Sequence, residues 1–331
     1  MKISRETKII ILFFAIYFFF AWILTTNYFI NHLQYLESKC VVSGWWEQWH
    51  EQIKEGVRMS GGVEGDSNQF RLMSFWLAEG TSKIFDQSIP SAYLIDRFIF
   101  TFLMFCLFHL FLLKWFKHKG AFLGTTILAA ITPITYLPFI QESDYILQFL
   151  FLIGLFLIRE KKYAWLALLV FVATFAKETI VFLIPFYFFV NWAKQKKFNN
   201  IVQTISLFFI WGGAFYITRN LFYEGGENSP LWQLPYNIIA LKEYFVNYSP
   251  FMNIALSYIP LFGIFWVLSF WDLKIKPHFF KAAALFIVVF MILHFLMGWP
   301  EETRIILPLA FLVIPSSMLS INYLLNKNLN N

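Results

Sequence analysis

Glu64 and Asp66 stand two residues apart on a glycine-flanked stretch, Gly61-Gly62-Val63-Glu64-Gly65-Asp66, inside the one long polar segment of an otherwise apolar chain. Acids at this spacing offer oxygens to a divalent cation, and Asp66 three residues before Gln69 also has the pattern of a helix-capping box. No further ligands cluster beside the pair, so no metal or other cofactor is expected. Lys177-Glu178 is a second polar point, set between two apolar runs. Arg97, Arg219 and Arg304 each lie near the end of an apolar run.

Composition says what holds these residues. At 59% hydrophobic and 14% charged over 331 residues, with mean hydropathy +0.60, the chain is outside the range of soluble domains and reads as a polytopic integral membrane protein. A net charge of +6 does not point to nucleic acid, because most of the basic residues fall in short clusters between apolar spans. Cys40 lies in the polar segment and Cys106 within a span, so a disulfide between them is not expected. The 43 Phe are read as lipid-facing and packing mass.

About 20 apolar residues cross a bilayer core. Alternating hydrophobicity and charge place spans near 8–30, 91–116, 120–140, 144–158, 163–176, 179–193, 200–222, 251–271, 279–298 and 304–323. The expected fold is therefore all-α, with about ten transmembrane helices in a single domain over residues 1–331 and an exterior loop at 31–90. Placing the N-terminus in the cytoplasm puts Lys2, Arg5, Lys8; Lys114, Lys117, Lys119; Arg159, Lys161, Lys162; Lys194, Lys196, Lys197; Lys274, Lys276, Lys281; and Lys327 inside, sixteen of the 26 basic residues. Seventeen of the 20 acids then fall outside. The first span carries no small-residue cleavage site and reads as a retained anchor in the inner (plasma) membrane.

Two of the spans are short. The 14 residues between Lys162 and Lys177 cover about 21 Å, against a hydrocarbon core of about 30 Å. A single pass over 163–193 would reverse every later loop against the charge pattern, so the segment is expected to form a hairpin. Its tip, Lys177-Glu178, then lies at or below the outer surface, where ions need protein, water or a headgroup for company. The two could also pair with each other at the turn. Glu142 and Asp144, on a short exterior turn, are expected to meet water, with a substrate contact as the alternative.

Within the loop, Trp45, Trp49 and Ile53 share a face with charged residues on the others, the pattern of an interfacial helix. A second amphipathic helix is expected from Ser67 to about Glu79, with Phe70, Met73 and Leu77 on one side.

This arrangement resembles the C-type glycosyltransferase (GT-C) superfamily: a cytoplasmic N-terminus, a large first exterior loop with two amphipathic helices and an acid, and shortened later helices. Glu64-Gly65-Asp66 followed by Phe70-Arg71-Leu72, the span-opening Asp96-Arg97, Ala176-Lys177-Glu178-Thr179, and Pro300-Glu301-Glu302-Thr303-Arg304 with Pro308 are similar to positions in its small bacterial members. The resemblance covers most of the chain as architecture, through short motifs. The sizeable C-terminal soluble domain of larger members has no counterpart here, which leaves acceptor recognition open.

The resemblance implies transfer of a sugar from a polyprenyl-phosphate donor to a lipid-linked, glycan or protein acceptor at the outer membrane face. The leaving phosphate needs no general acid, so a carboxylate base and cations for the phosphate suffice. Asp66 is the first candidate for the base and Glu64 the reserve. Arg97, Arg219 and Arg304 are candidate phosphate ligands, because a guanidinium fork matches phosphate oxygens. Lys177 would act as a point charge, with Glu178 beside it in the same site. Structural roles stand next to these: Asp66 as a helix cap, Glu301, Glu302 and Thr303 as dipole-favoured acids and cap, and His294 as a core histidine. Arg304 resists such a reading, since a cation is dipole-unfavourable at a helix start. The other classes that fit a polytopic apolar chain are a transporter or flippase, a polysaccharide polymerase of cell-envelope glycan assembly, and a noncatalytic assembly subunit.

Overall fold

The computed structural model describes residues 5–38, 50, 71–135, 143–192, 197–220, 235, 238–239, 261–297 and 303–329. Among them every regular element is helical. Lipid offers no partner for backbone N–H and C=O groups, and a helix satisfies them within one segment. The α-helices are α1 (Arg5–Ser38), α2 (Leu72–Phe85), α3 (Ile89–Leu112), α4 (His118–Thr135), α5 (Asp144–Arg159), α6 (Tyr163–Thr174), α7 (Leu183–Asn191), α8 (Lys197–Asn220), α9 (Ile264–Phe270), α10 (His278–Met297) and α11 (Ala310–Leu329). Short 3₁₀ segments, Glu178–Phe182 and Thr303–Leu309, lead into α7 and α11.

Among the described residues, five stretches are long and apolar enough to cross a membrane: Thr7–Tyr28, Ile89–Leu112, Lys197–Arg219, His278–Leu296 and Arg304–Asn326. The chain is a multi-pass α-helical membrane protein. Two further apolar helices are shorter, Tyr163–Thr174 and Glu178–Asn191. At 12 residues α6 covers about 18 Å, so the chain turns back at Lys177 after less than a full bilayer core. Both arms pack between α5 and α8. Gly154 permits the approach of α5 to α7, since a Cβ there would sit 2.2 Å from Leu183 Cδ1.

The core is aromatic. Phe105, Phe108 and Phe111 of α3 meet Phe279, Phe280 and Phe286 of α10 and Phe311 of α11, all buried. Phe19, Trp22 and Ile23 of α1 and Phe209 of α8 are exposed, as lipid-facing residues must be. Phenylalanine thus serves both inside and outside.

Helix α9 is tied to the body of α11 by polar groups, which do in lipid what apolar burial does in water. Ser316, Ser317 and Ser320 donate to the carbonyls of Ser269, Phe265 and Leu268. Buried Lys276 Nζ donates to the carbonyls of Leu268 and Ser269 at 2.8 and 2.7 Å and to Ser316 Oγ at 3.0 Å. One of the basic residues counted for topology is therefore also the cap of α9.

The second loop helix differs from expectation at both ends. Helix α2 opens at Leu72 and runs to Phe85, through Gly80, where the sequence suggested a stop near Glu79. It ends at Asp86, whose left-handed backbone (φ 51°, ψ 49°) returns its N–H to the Ser82 carbonyl, while Ser82 Oγ donates to the Gln87 carbonyl. Met73 and Leu77 pack on Tyr145, Ile146 and Ala176, the apolar face expected of them. The helix expected at Trp45–Ile53 lies outside the described residues except for His50.

Candidate functional site

Four helical elements begin at one place. Arg71 immediately precedes α2, Asp144 is the first residue of α5, Lys177 precedes the 3₁₀ segment leading into α7, and Arg304 is the second residue of the one leading into α11. Each helix start carries partial positive charge, so the four add a positive potential to that of the cations there. The chain reverses at Lys177 in an extended conformation (φ −165°, ψ 135°), and Met73 N donates to the Phe175 carbonyl at 2.9 Å, docking α2 on the hairpin tip.

The side chains form one largely buried network. Lys177 Nζ donates to Asp144 Oδ1, and Arg304 Nη1 stands 3.6 Å from Asp144 Oδ2. Arg71 Nη2 donates to Glu178 Oε1 at 3.1 Å. Asp144 and Lys177 are only 3% and 2% exposed, and Arg71 and Arg304 are buried with them. Arg219, in the last turn of α8, feels the charges of Glu178 and Arg71 while its guanidinium lies 4.9 Å from the Phe215 ring centre. Trp211 Nε1 donates to the Glu178 carbonyl at 3.0 Å. Among the described residues, three cations, Arg71, Lys177 and Arg304, are thus paired with two carboxylates, Asp144 and Glu178, and Arg219 lies nearby.

Arg97 joins from α3 by a different contact. Its guanidinium lies over the Tyr28 ring at 3.3 Å and faces the ring of Tyr145, the neighbour of Asp144, at 5.4 Å. Asp96 beside it accepts from Thr81 Oγ1 at 2.6 Å, fixing α2 to α3. His50 adds a second clasp, with Nε2 3.2 Å from Glu79 Oε1 and Nδ1 3.1 Å from Tyr93 Oη. Lys83 and His50 beside Glu79 hold its carboxyl below the ordinary carboxylate range.

Of the residues singled out in the sequence, Lys177, Glu178, Arg219 and Arg304 come together in this network and Arg97 flanks it through Tyr145. Asp66 and Glu64 lie outside the described residues. Helix α2 has Arg71, not Asp66, at its N-cap position. Lys177 and Glu178 are each ion-paired to a residue distant in sequence, not simply to each other. The unfavourable helix-start charge of Arg304 is met by Asp144. Asp144 does not meet water as expected: it is buried as the shared partner of two cations.

Sequence reading missed Asp144 and gave Arg71 no role. One signal was present. A lysine at membrane depth requires a carboxylate, and Asp144 opens the helix that precedes the hairpin. Chemically, the arrangement suits an anion carrying several oxygens, since cationic donors on separate elements converge with helix starts behind them. Among the described residues no group of three or more His, Cys, Asp or Glu could hold a metal ion. No family model, curated protein or solved structure matches the chain.

Proposed function

We propose that this protein is a GT-C-like hexosyl- or pentosyltransferase, moving a sugar from a polyprenyl-phosphate donor to an acceptor at the outer face of the membrane. The observation that carries the reading is the convergence of Lys177, Arg304 and Arg71 with four helix starts at one buried point. A lipid phosphate is the anion that reaches such a point from within a bilayer. In this reading ten spans cross the membrane, the N-terminus is cytoplasmic, and residues 31–90 form the exterior loop with its interfacial helices. Asp66 would take the proton of the acceptor hydroxyl, with Glu64 in reserve. It lies five residues before Arg71, which tethers it within about 18 Å of that residue by chain length alone.

The test is donor binding by the purified protein. A polyprenyl-phosphate sugar should bind, and Arg304→Ala should weaken it by the about 1.5–3 kcal/mol of one charge-assisted contact, roughly 10- to 150-fold. Absence of binding by the intact chain sinks the proposal. A flippase is the second reading, favoured by the chain reversal at Lys177 and the 3₁₀ start of α11, which share the site. Moving the lipid across a bilayer without transferring its sugar would decide for it.

A further inference from the structure

Asp144 presents one oxygen to Lys177 from the hairpin tip and the other to Arg304 from the start of the last helix. The two cations belong to elements more than a hundred residues apart, and this carboxylate bridges them. It is an acid where an anionic ligand should meet only cations. Phosphate entering between Lys177 and Arg304 would face its negative charge directly, a juxtaposition that costs binding energy in a water-poor site. Without a ligand, however, removing the carboxylate would leave two buried cations opposed, which destabilises a fold strongly. The Arg304 contact, at 3.6 Å, is an ion pair longer than a hydrogen bond, so Asp144 holds that guanidinium less closely than it holds Lys177.

We propose that Asp144 is a resident counterion that stands in for the ligand's phosphate: it holds Lys177 and Arg304 in place in the empty site, and cedes them when phosphate binds. This rests on the phosphate reading above and deepens it. The carboxylate positions the cations and limits how tightly phosphate is held, so that the polyprenyl phosphate left after sugar transfer can depart. Glu178 stands in the same relation to Arg71 but is partly exposed, so its pair is less costly to break.

The two demands have opposite signs, and Asp144→Asn separates them. The asparagine keeps the shape and removes the charge. In phosphate-free detergent the variant should unfold at lower temperature than the parent. Inorganic phosphate and geranyl phosphate should then stabilise it more than they stabilise the parent, with Kd for geranyl phosphate lower by about tenfold or more, and geraniol should do neither. A purely structural aspartate would lose stability and ligand affinity together, and that result overturns the proposal while leaving the donor reading intact. Enhanced response to inorganic phosphate but none to geranyl phosphate keeps the counterion and removes the lipid donor. No response in either protein to either phosphate overturns both. If Asp144→Asn yields no folded protein, the charge-balanced pair Asp144→Asn with Lys177→Gln should restore it without the gain in affinity. Failure of that pair to restore folding would show that Asp144 acts by packing, against the proposal.

Discussion

Arg71 and Glu178, 107 residues apart in sequence, are joined by a 3.1 Å hydrogen-bonded ion pair that ties helix α2 to the tip of the short hairpin. The start of α2 is thereby held at the cationic site, and the Met73 N to Phe175 carbonyl bond secures the same junction. Helix α2 and the hairpin are one unit there.

Breaking that pair from the acid side should be costly, because Arg71 is buried. Glu178→Gln is expected to destabilise the protein by about 1–3 kcal/mol, and Arg71→Met combined with it should recover most of the loss. Thermal unfolding of the purified protein reads both values. If the double variant is as unstable as the sum of the two single ones, the pair is not coupled.

Lys276 gives a second stability prediction. Lys276→Ala removes the donor shared by the Leu268 and Ser269 carbonyls, while Lys281→Ala removes another of the nearby positive charges. The first should lower stability by about 1–3 kcal/mol and the second by no more than about 0.5 kcal/mol. Equal effects would mean that Lys276 matters only as a charge.

What was legible in the sequence follows from how strongly each feature is encoded. Apolar runs long enough to span a membrane announce themselves through length, and helices occur at the expected positions wherever those fall in the described residues. The short hairpin was legible for the same reason, because Lys162 and Lys177 bracket too few residues for a full crossing. The far end of α2 was not, since Gly80-Thr81-Ser82 reads as a breaker while the closing signal, the left-handed Asp86, is a matter of backbone geometry. Within the site, cations could be nominated one at a time from their places at span ends. Their shared partner was signalled only by the need of a lysine at membrane depth for a carboxylate, because an acid after Glu142 and Ser143 on a short turn looks the same whether water or Lys177 awaits it. Pairing across 33 residues is a property of helix packing, not of local pattern.

Topology is open to direct measurement. In a background with Cys40 and Cys106 replaced, a cysteine at Gly62 should react with an impermeant thiol reagent from outside, and one at Lys196 only from inside. The motive is the set of five basic clusters assigned to the cytoplasm. Labelling of both from the same side would show that residues 163–193 do not form a returning hairpin.

The last prediction concerns Asp66. In the proposed reaction a base must lie on the acceptor side of the phosphate, and Asp66 is five residues from Arg71, whose guanidinium belongs to the cationic network. The N-cap position of α2 is held by Arg71, five residues beyond Asp66. The substitution keeps size and removes the ability to take a proton. If Asp66 is the base, sugar transfer should fall by about 100-fold or more, the contribution expected of a positioned proton acceptor, while donor binding and thermal stability stay near those of the parent. Glu64→Gln should be milder. Transfer at the parental rate in Asp66→Asn removes the assignment, and an inactive Glu64→Gln beside it would move the base two residues upstream.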